Sequence, residues 1–444
     1  MLKALLSDRG VVSGLLTRVV QGIAGPISAV LVLRFFDPEV QGYYYTFFSL
    51  LGLQIFLELG LSTVVTTFAS HEWASLSSDQ NGKVVGDTLA LARLATLAKK
   101  AFRWYAIGAG LLLLVLIVFG IWFFDSRAQS GVVEWRYPWI ALCCLASSSF
   151  IFLPAWALLQ GCGQIATINS FRLVETICRS AVLWTAIAMG ATLWSGVVAL
   201  AVSVLISGGF LVLRYRTFFA SLLKTRQTSD FDWKSEVAPV QWRIAASWIA
   251  GYFAFYLFTP ATFFFLGSKE AGQVGITWAL VSGLSGIAGT WLQVRSPAFG
   301  GLVAQKEFTA LDTLATHTAL VSGLVCAVLS GGVLAGLLIL DAFRPDISSR
   351  FLPIGAIAIF LLAELLHQIS MVQSTYLRAF KREPFLGVSL GSAIIIGVGT
   401  LVLTPITGGF GPSLSYLMGI SAALVWGTFV FLRSRREWTF PRSQ

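Results

Sequence analysis

The chain has 444 residues, of which 56% are hydrophobic and only 12% charged, and its mean hydropathy is +0.78. Such a composition excludes an ordinary soluble domain and describes an integral membrane protein. A formal net charge of +10 would suit nucleic acid, but in a membrane protein the first question is where those charges sit.

Twelve apolar runs reach the length of about 20 residues that a bilayer crossing needs. They cover residues 11–35, 42–68, 104–124, 138–160, 169–190, 192–213, 239–264, 272–296, 313–340, 351–377, 385–404 and 410–432. The first follows a short basic lead and is too long for the apolar core of a signal peptide, so it is expected to be a spanning helix. Five cysteines, Cys143, Cys144, Cys162, Cys178 and Cys326, lie in or beside these runs without metal-ligand or redox spacing. They read as small buried hydrophobes, and neither a metal nor a cofactor is expected.

Lysine and arginine alternate between loops. One set carries Lys3 and Arg9, the group Lys83 to Arg103, Arg214 to Lys234, Lys306, Arg378 to Arg382 and Arg433 to Arg442; the other set is near neutral. The rule that cytoplasmic loops hold the positive excess places both termini in the cytoplasm. The basic charge is then a topology signal, and a nucleic-acid partner is not expected. In one long basic loop, Leu91, Leu94, Ala98 and Phe102 recur at helical spacing beside Arg93, Lys99 and Lys100. That pattern fits either an amphipathic helix lying on the lipid surface or a solvated linker helix.

An internal repeat is visible as an order of features. PEVQGYYYTFFSLLGLQ from Pro38 can be laid on KEAGQVGITWALVSGLS from Lys269, with Glu39 over Glu270 and Thr46 over Thr277. The expected fold is an all-α polytopic membrane protein with about twelve transmembrane helices in two six-helix halves, 1–220 and 221–444, around a central cavity.

The first seventy residues, with DPEVQGYYYTFFSLLGLQIFLELGLSTVV, resemble the start of the polysaccharide transporter family within the multidrug, oligosaccharidyl-lipid and polysaccharide exporter superfamily. The residues that carry the likeness are the glycine-aromatic start of the second run and Glu58 just before Gly60, Leu61 and Ser62. The resemblance implies a flippase that moves a lipid-linked oligosaccharide, on a polyprenyl diphosphate, from the inner to the outer leaflet of a bacterial inner membrane. Its implied partners are that lipid, the surrounding membrane lipids, and a polysaccharide polymerase with its export machinery.

Such a substrate needs cationic side chains facing a polar route. Arg18, Arg179 and Arg243 fall inside apolar runs, where each would cost about 2.5–3.5 kcal/mol at a helix centre on an insertion scale. Arg179 is deepest, roughly 15 Å inside the fifth run, which enters near Asn169. It shares a helical face with Arg172 and Glu175. This face is either a cavity-facing anion site or a structural network in which Glu175 pins Arg179.

Arg18 and Glu58 lie twenty residues either side of Pro38, at matching depth, and an ion pair across that hairpin is expected. Arg243 is level with Arg295 and has no carboxylate opposite it, so these two are expected to be freer for phosphate. Glu364, His367 and Gln368 share one face of the tenth run, as a proton-coupling site or as a polar patch joining helices. Gln21, Gln54 and the triplet Tyr43, Tyr44 and Tyr45 are candidates for sugar contact, although an aromatic belt would also place the tyrosines.

Two other functions compete with the flippase. A cation-coupled multidrug exporter of the same superfamily would favour acidic groups in its cleft. A membrane-embedded glycan polymerase or ligase would need catalytic groups on a large outer loop, and the outer loops here are short. No nucleotide-binding loop or catalytic triad is visible, so an enzyme is not expected.

Overall fold

A computed structural model of the chain describes residues 9–127, 133–226, 233–380 and 382–439. It is an all-α polytopic membrane protein, and every one of the twelve expected runs falls on one helix or on two or three consecutive ones. The helices are α1 (Arg9–Phe35), α2 (Pro38–Leu51), α3 (Ile55–Glu58), α4 (Leu61–Trp73), α5 (Thr88–Asp125), α6 (Arg136–Phe150), α7 (Leu153–Gly161), α8 (Ile165–Ala188) and α9 (Trp194–Lys224). They continue with α10 (Ala238–Phe255), α11 (Phe258–Leu266), α12 (Ser268–Ala304), α13 (Phe308–Phe343), α14 (Pro345–Ser348), α15 (Ile354–Arg378), α16 (Leu386–Thr407) and α17 (Phe410–Thr439). A short hairpin of β1 (Leu76–Ser78) and β2 (Val84–Gly86) precedes α5, pairing Leu76 with Gly86.

Among the described residues, eight helices are long and apolar enough to cross a membrane, and two bent pairs bring the number to ten. The other two expected spans are α1, whose Val20–Phe35 part is apolar, and α8, which carries three central charges. The burial pattern is inside out relative to a soluble helix. Along α13, Thr318, Ser322, Cys326 and Ser330 are buried, whereas Leu320, Leu324 and Val328 are 65–68% exposed. Small and weakly polar residues let helices approach, and the large aliphatic ones are left for lipid.

The chain forms two compact units. One comprises Met1–Phe36 and Leu50–Ile249, the other Asp37–Ser49 and Ala250–Gln444. This division differs from a cut at residue 220 because two broken spans are shared. The pair α2–α3 with α4 is bent by 48°, and α10 with α11 by 44°. At the first break Leu59 and Gly60 adopt left-handed φ values of 51° and 65°. Glycine is required at 60 twice over, since an added Cβ would also fall 2.3 Å from Ile244 Cγ2 in α10.

In the first unit α1 packs along α8, which packs on α9, while α4 lies on α7. In the second, α17 packs on α15 and α16, and α13 lies on α12 and α15. The two segments aligned as a repeat meet there directly. A Cβ on Gly42 would sit 1.8 Å from the Ser268 carbonyl oxygen, and one on Gly275 would sit 2.3 Å from Tyr45 Cβ. Gln41 Nε2 donates to the Gly272 carbonyl at 2.8 Å and Arg350 Nη2 donates to Gln41 Oε1 at 2.6 Å, which fastens α2 to this unit.

The loop expected to hold a surface or linker helix does neither. Asp87 caps α5 by accepting from Ala90 N at 2.8 Å, and the helix then runs unbroken for 38 residues. Leu94, Ala95, Ala98 and Ala101 are fully buried. Arg93 binds Glu72 at 2.8 Å and Glu236 at 2.6 Å. The apolar stripe is therefore core packing, and the neighbouring arginine serves an ion-pair network within the unit. Of the cysteines, Cys143, Cys162 and Cys326 are buried, Cys178 is half-buried and Cys144 is exposed; all five are free thiols.

Candidate functional site

The first unit carries its charge at membrane depth on α8. This helix has 24 residues, about 36 Å at 1.5 Å per residue, and Arg179 lies about 21 Å from its start and about 13 Å from its end. Val174, Ile177, Ala181 and Thr185 are exposed along one side. At 100° per residue, Arg172, Glu175 and Arg179 project from the opposite side. The lipid-suited face and the charged face are thus separate.

On the charged face, Arg179 Nε is 3.6 Å from Glu175 Oε1, and the Arg179 side chain remains 46% exposed. Ser203 Oγ of α9 donates to the same Glu175 oxygen at 2.5 Å. One carboxylate therefore holds Arg179 and Ser203, while the Arg179 side chain stays partly open. Among the described residues no hydrogen bond or ion pair satisfies the Arg172 guanidinium. Arg172 and Glu175 line a cavity of about 220 Å³ enclosed by residues of α6 to α9 and Gln54.

Glu58, the lone carboxylate of the second apolar run, is 6% exposed. It closes α3 just before the left-handed pair Leu59 and Gly60, and Ser62 Oγ at the start of α4 donates to its Oε1 at 2.5 Å. The carboxylate thereby bridges the break in the helix. The side chain of Arg18, its expected partner, lies outside the described residues, and so does that of Arg243.

In the second unit the expected trio is assembled. Glu364 is 1% exposed. Its Oε1 meets His367 Nδ1 at 3.1 Å and accepts from Gln368 Nε2 at 3.2 Å, and Ser285 Oγ donates to the same oxygen. Tyr416 OH donates to Oε2 at 2.8 Å, and Ser322 Oγ donates to Gln368 Oε1 at 2.8 Å. A buried carboxylate is tolerable only when its lone pairs are met, and here groups from α12, α15 and α17 meet them. Trp278 and Phe360 pack around Tyr416 with ring centroids 5.2 and 5.9 Å away. His367 is 19% exposed while Glu364 is sealed behind it.

Arg295 is engaged in a way that the sequence reading missed. Its Nη1 lies 2.8 Å from His317 Nδ1 on α13. The signal was available, since Arg295 and His317 stand eleven residues either side of Lys306 at the turn between two helices. Among the described residues no cluster of histidine, cysteine and carboxylate could hold a metal ion. The arrangement thus offers an exposed cationic face in one unit and a sealed carboxylate beside a partly exposed imidazole in the other.

No family model and no curated protein matches the chain. Solved structures do. An inward-facing multidrug resistance MATE family transporter of the MOP superfamily is similar with a TM-score of 0.72 and 12% identity, over 95% of this chain and 96% of that one. A eukaryotic MATE transporter is similar with a TM-score of 0.63 and 14% identity, over 98% and 96%. A third, from Pyrococcus furiosus, is described as a MOP superfamily transporter whose reversed pocket polarity suggests a different function; its TM-score is 0.56 at 12% identity, over 99% and 98%. Along nearly its whole length, the chain has the fold of the MATE transporters of the MOP superfamily.

Proposed function

We propose that the protein is a transporter of the MOP superfamily that carries an anionic amphiphile by alternating access, with a polyprenyl-diphosphate-linked oligosaccharide as the substrate class that fits best. The observation that carries this reading is the charged face of α8, where two arginines stand beside a single carboxylate that pairs with Arg179 alone, and Arg179 stays 46% exposed. Guanidinium groups suit phosphate oxygens, with which they form paired, charge-assisted hydrogen bonds. A cationic drug would meet repulsion there. The export direction, the inner membrane of a bacterium and cytoplasmic termini belong to the same proposal, supported by the basic loops.

The second reading, a cation-coupled multidrug exporter, is favoured by the described role of the MATE neighbours. The Glu364 network serves either reading, because proton movement through His367 would couple either substrate to a gradient. A single experiment separates them. Proteoliposomes containing the protein are given a fluorescent lipid-diphosphate oligosaccharide or a fluorescent organic cation, each with and without a pH gradient. Leaflet exchange of the lipid with no cation transport is the expected result; cation transport with no lipid exchange would establish the exporter instead.

A further inference from the structure

Inside the first unit, the cavity beside α8 combines three features. Its volume is about 220 Å³, below the roughly 300–1,000 Å³ typical of pockets for drug-sized ligands. It suits one ring rather than a fused or linked set. Trp156 forms part of its wall and is stacked at 5.2 Å on Phe171, which is stacked at 4.2 Å on Phe210. This stack fixes a rigid apolar surface at the cavity.

The polar lining has unused capacity of both signs. Arg172 supplies donors only, Gln54 and Ser207 supply a donor and an acceptor each, and none of the three has a side-chain hydrogen bond among the described residues. Glu175 accepts Ser203 and Arg179 on Oε1, which leaves its other oxygen as an acceptor. Arg172 is exposed and Gln54 and Ser207 are half-buried, so these groups are open to a ligand that enters the cavity. An organic cation would leave Arg172 unmatched. A bare anion would confront Glu175 and make no use of the aromatic wall.

We infer that this cavity is a subsite for a single sugar ring with an adjoining negative charge, its hydroxyls on Gln54, Ser207 and Glu175, its apolar face on Trp156 and its charge on Arg172. The inference rests on the oligosaccharide-lipid reading and adds to it where the ring nearest the diphosphate is held. A polyhydroxylated ring presents one apolar face and a rim of groups that both donate and accept, which matches the two walls. Gln54 enters here as one of the residues singled out from the sequence for sugar contact.

The test is saturation-transfer NMR on the whole protein in nanodiscs with a hexose 1-phosphate as probe, alongside inorganic phosphate, the free hexose and tetraphenylphosphonium as competitors. The ring protons of the sugar phosphate should receive saturation. Its affinity should fall at least tenfold in Arg172→Gln and in the cavity-filling Ser207→Phe, with Gln54→Leu as a milder variant should Ser207→Phe fail to fold. Tetraphenylphosphonium should not compete. The inference is overturned if the ring protons receive no saturation, if the variants bind as the parent does, or if inorganic phosphate displaces the probe as well as the free sugar phosphate does. Sugar-phosphate binding without leaflet exchange of the lipid would uphold this subsite while removing the flippase reading, so the two can fail separately.

Discussion

Arg179 and Glu364 both sit at membrane depth, yet the two units treat them in opposite ways. Glu364 is 1% exposed and its oxygens are met by groups from three helices. Arg179 has one partner at 3.6 Å and keeps 46% of its side chain open. A charge whose hydrogen bonds are complete joins helices and is expensive to disturb. On the function proposed above, a charge left incomplete is held for an arriving group of opposite sign.

The contrast can be broken most readily at Glu364. Replacement by Ala removes the common acceptor of Ser285, Gln368 and Tyr416, and unpaired buried donors cost about 1–3 kcal/mol each. Unfolding in detergent should register a loss of at least about 3 kcal/mol; a stability within about 1 kcal/mol of the parent would show that the network is not what holds these helices. Arg179→Ala should act the other way round. Transport should fall about 10- to 100-fold, as expected for a charge-assisted bond of about 1.5–3 kcal/mol, with the unfolding midpoint almost unchanged. A matching loss of stability would place Arg179 with the structural charges.

A third measurement sharpens the comparison at the other carboxylate of the first unit. Glu58 bonds Ser62 across the break in its span, and depth matching pairs it with Arg18. If that pair forms, the cycle of Arg18→Gln, Glu58→Gln and the double variant should show a coupling of about 0.5–3 kcal/mol. Additive effects would leave Glu58 as the bridge of a helix break alone. The smallest effect is expected at Arg93, whose side chain is 24% exposed beside Glu72 and Glu236. Such partly exposed pairs contribute about 0.2–1 kcal/mol, so Arg93→Ala should shift unfolding slightly and leave transport intact.

Much of this was legible in the sequence, for reasons that differ from residue to residue. Spans are readable because twenty apolar residues have no other common use. The faces Arg172, Glu175, Arg179 and Glu364, His367, Gln368 are readable because spacings of three and four place side chains together on any helix. Ser285, Ser322 and Tyr416 were not, since each comes from another helix and only packing brings it to Glu364. The stripe at Leu91 to Phe102 misled because core packing and lipid contact ask for the same periodicity. The apolar patterns of the broken spans do not record which unit each half joins.

The central claim is that the open charge on α8 selects an anionic substrate. The measurement that tests it most directly is transport of a lipid diphosphate and of an organic cation by the parent and by a charge-reversed Arg172→Glu, Arg179→Glu double variant, in the same vesicles. The account predicts that the parent moves the lipid diphosphate and rejects the cation, and that the reversed protein loses the anion by at least about 100-fold, two charge-assisted bonds being removed. Cation transport by the parent that persists unchanged in the variant would contradict it.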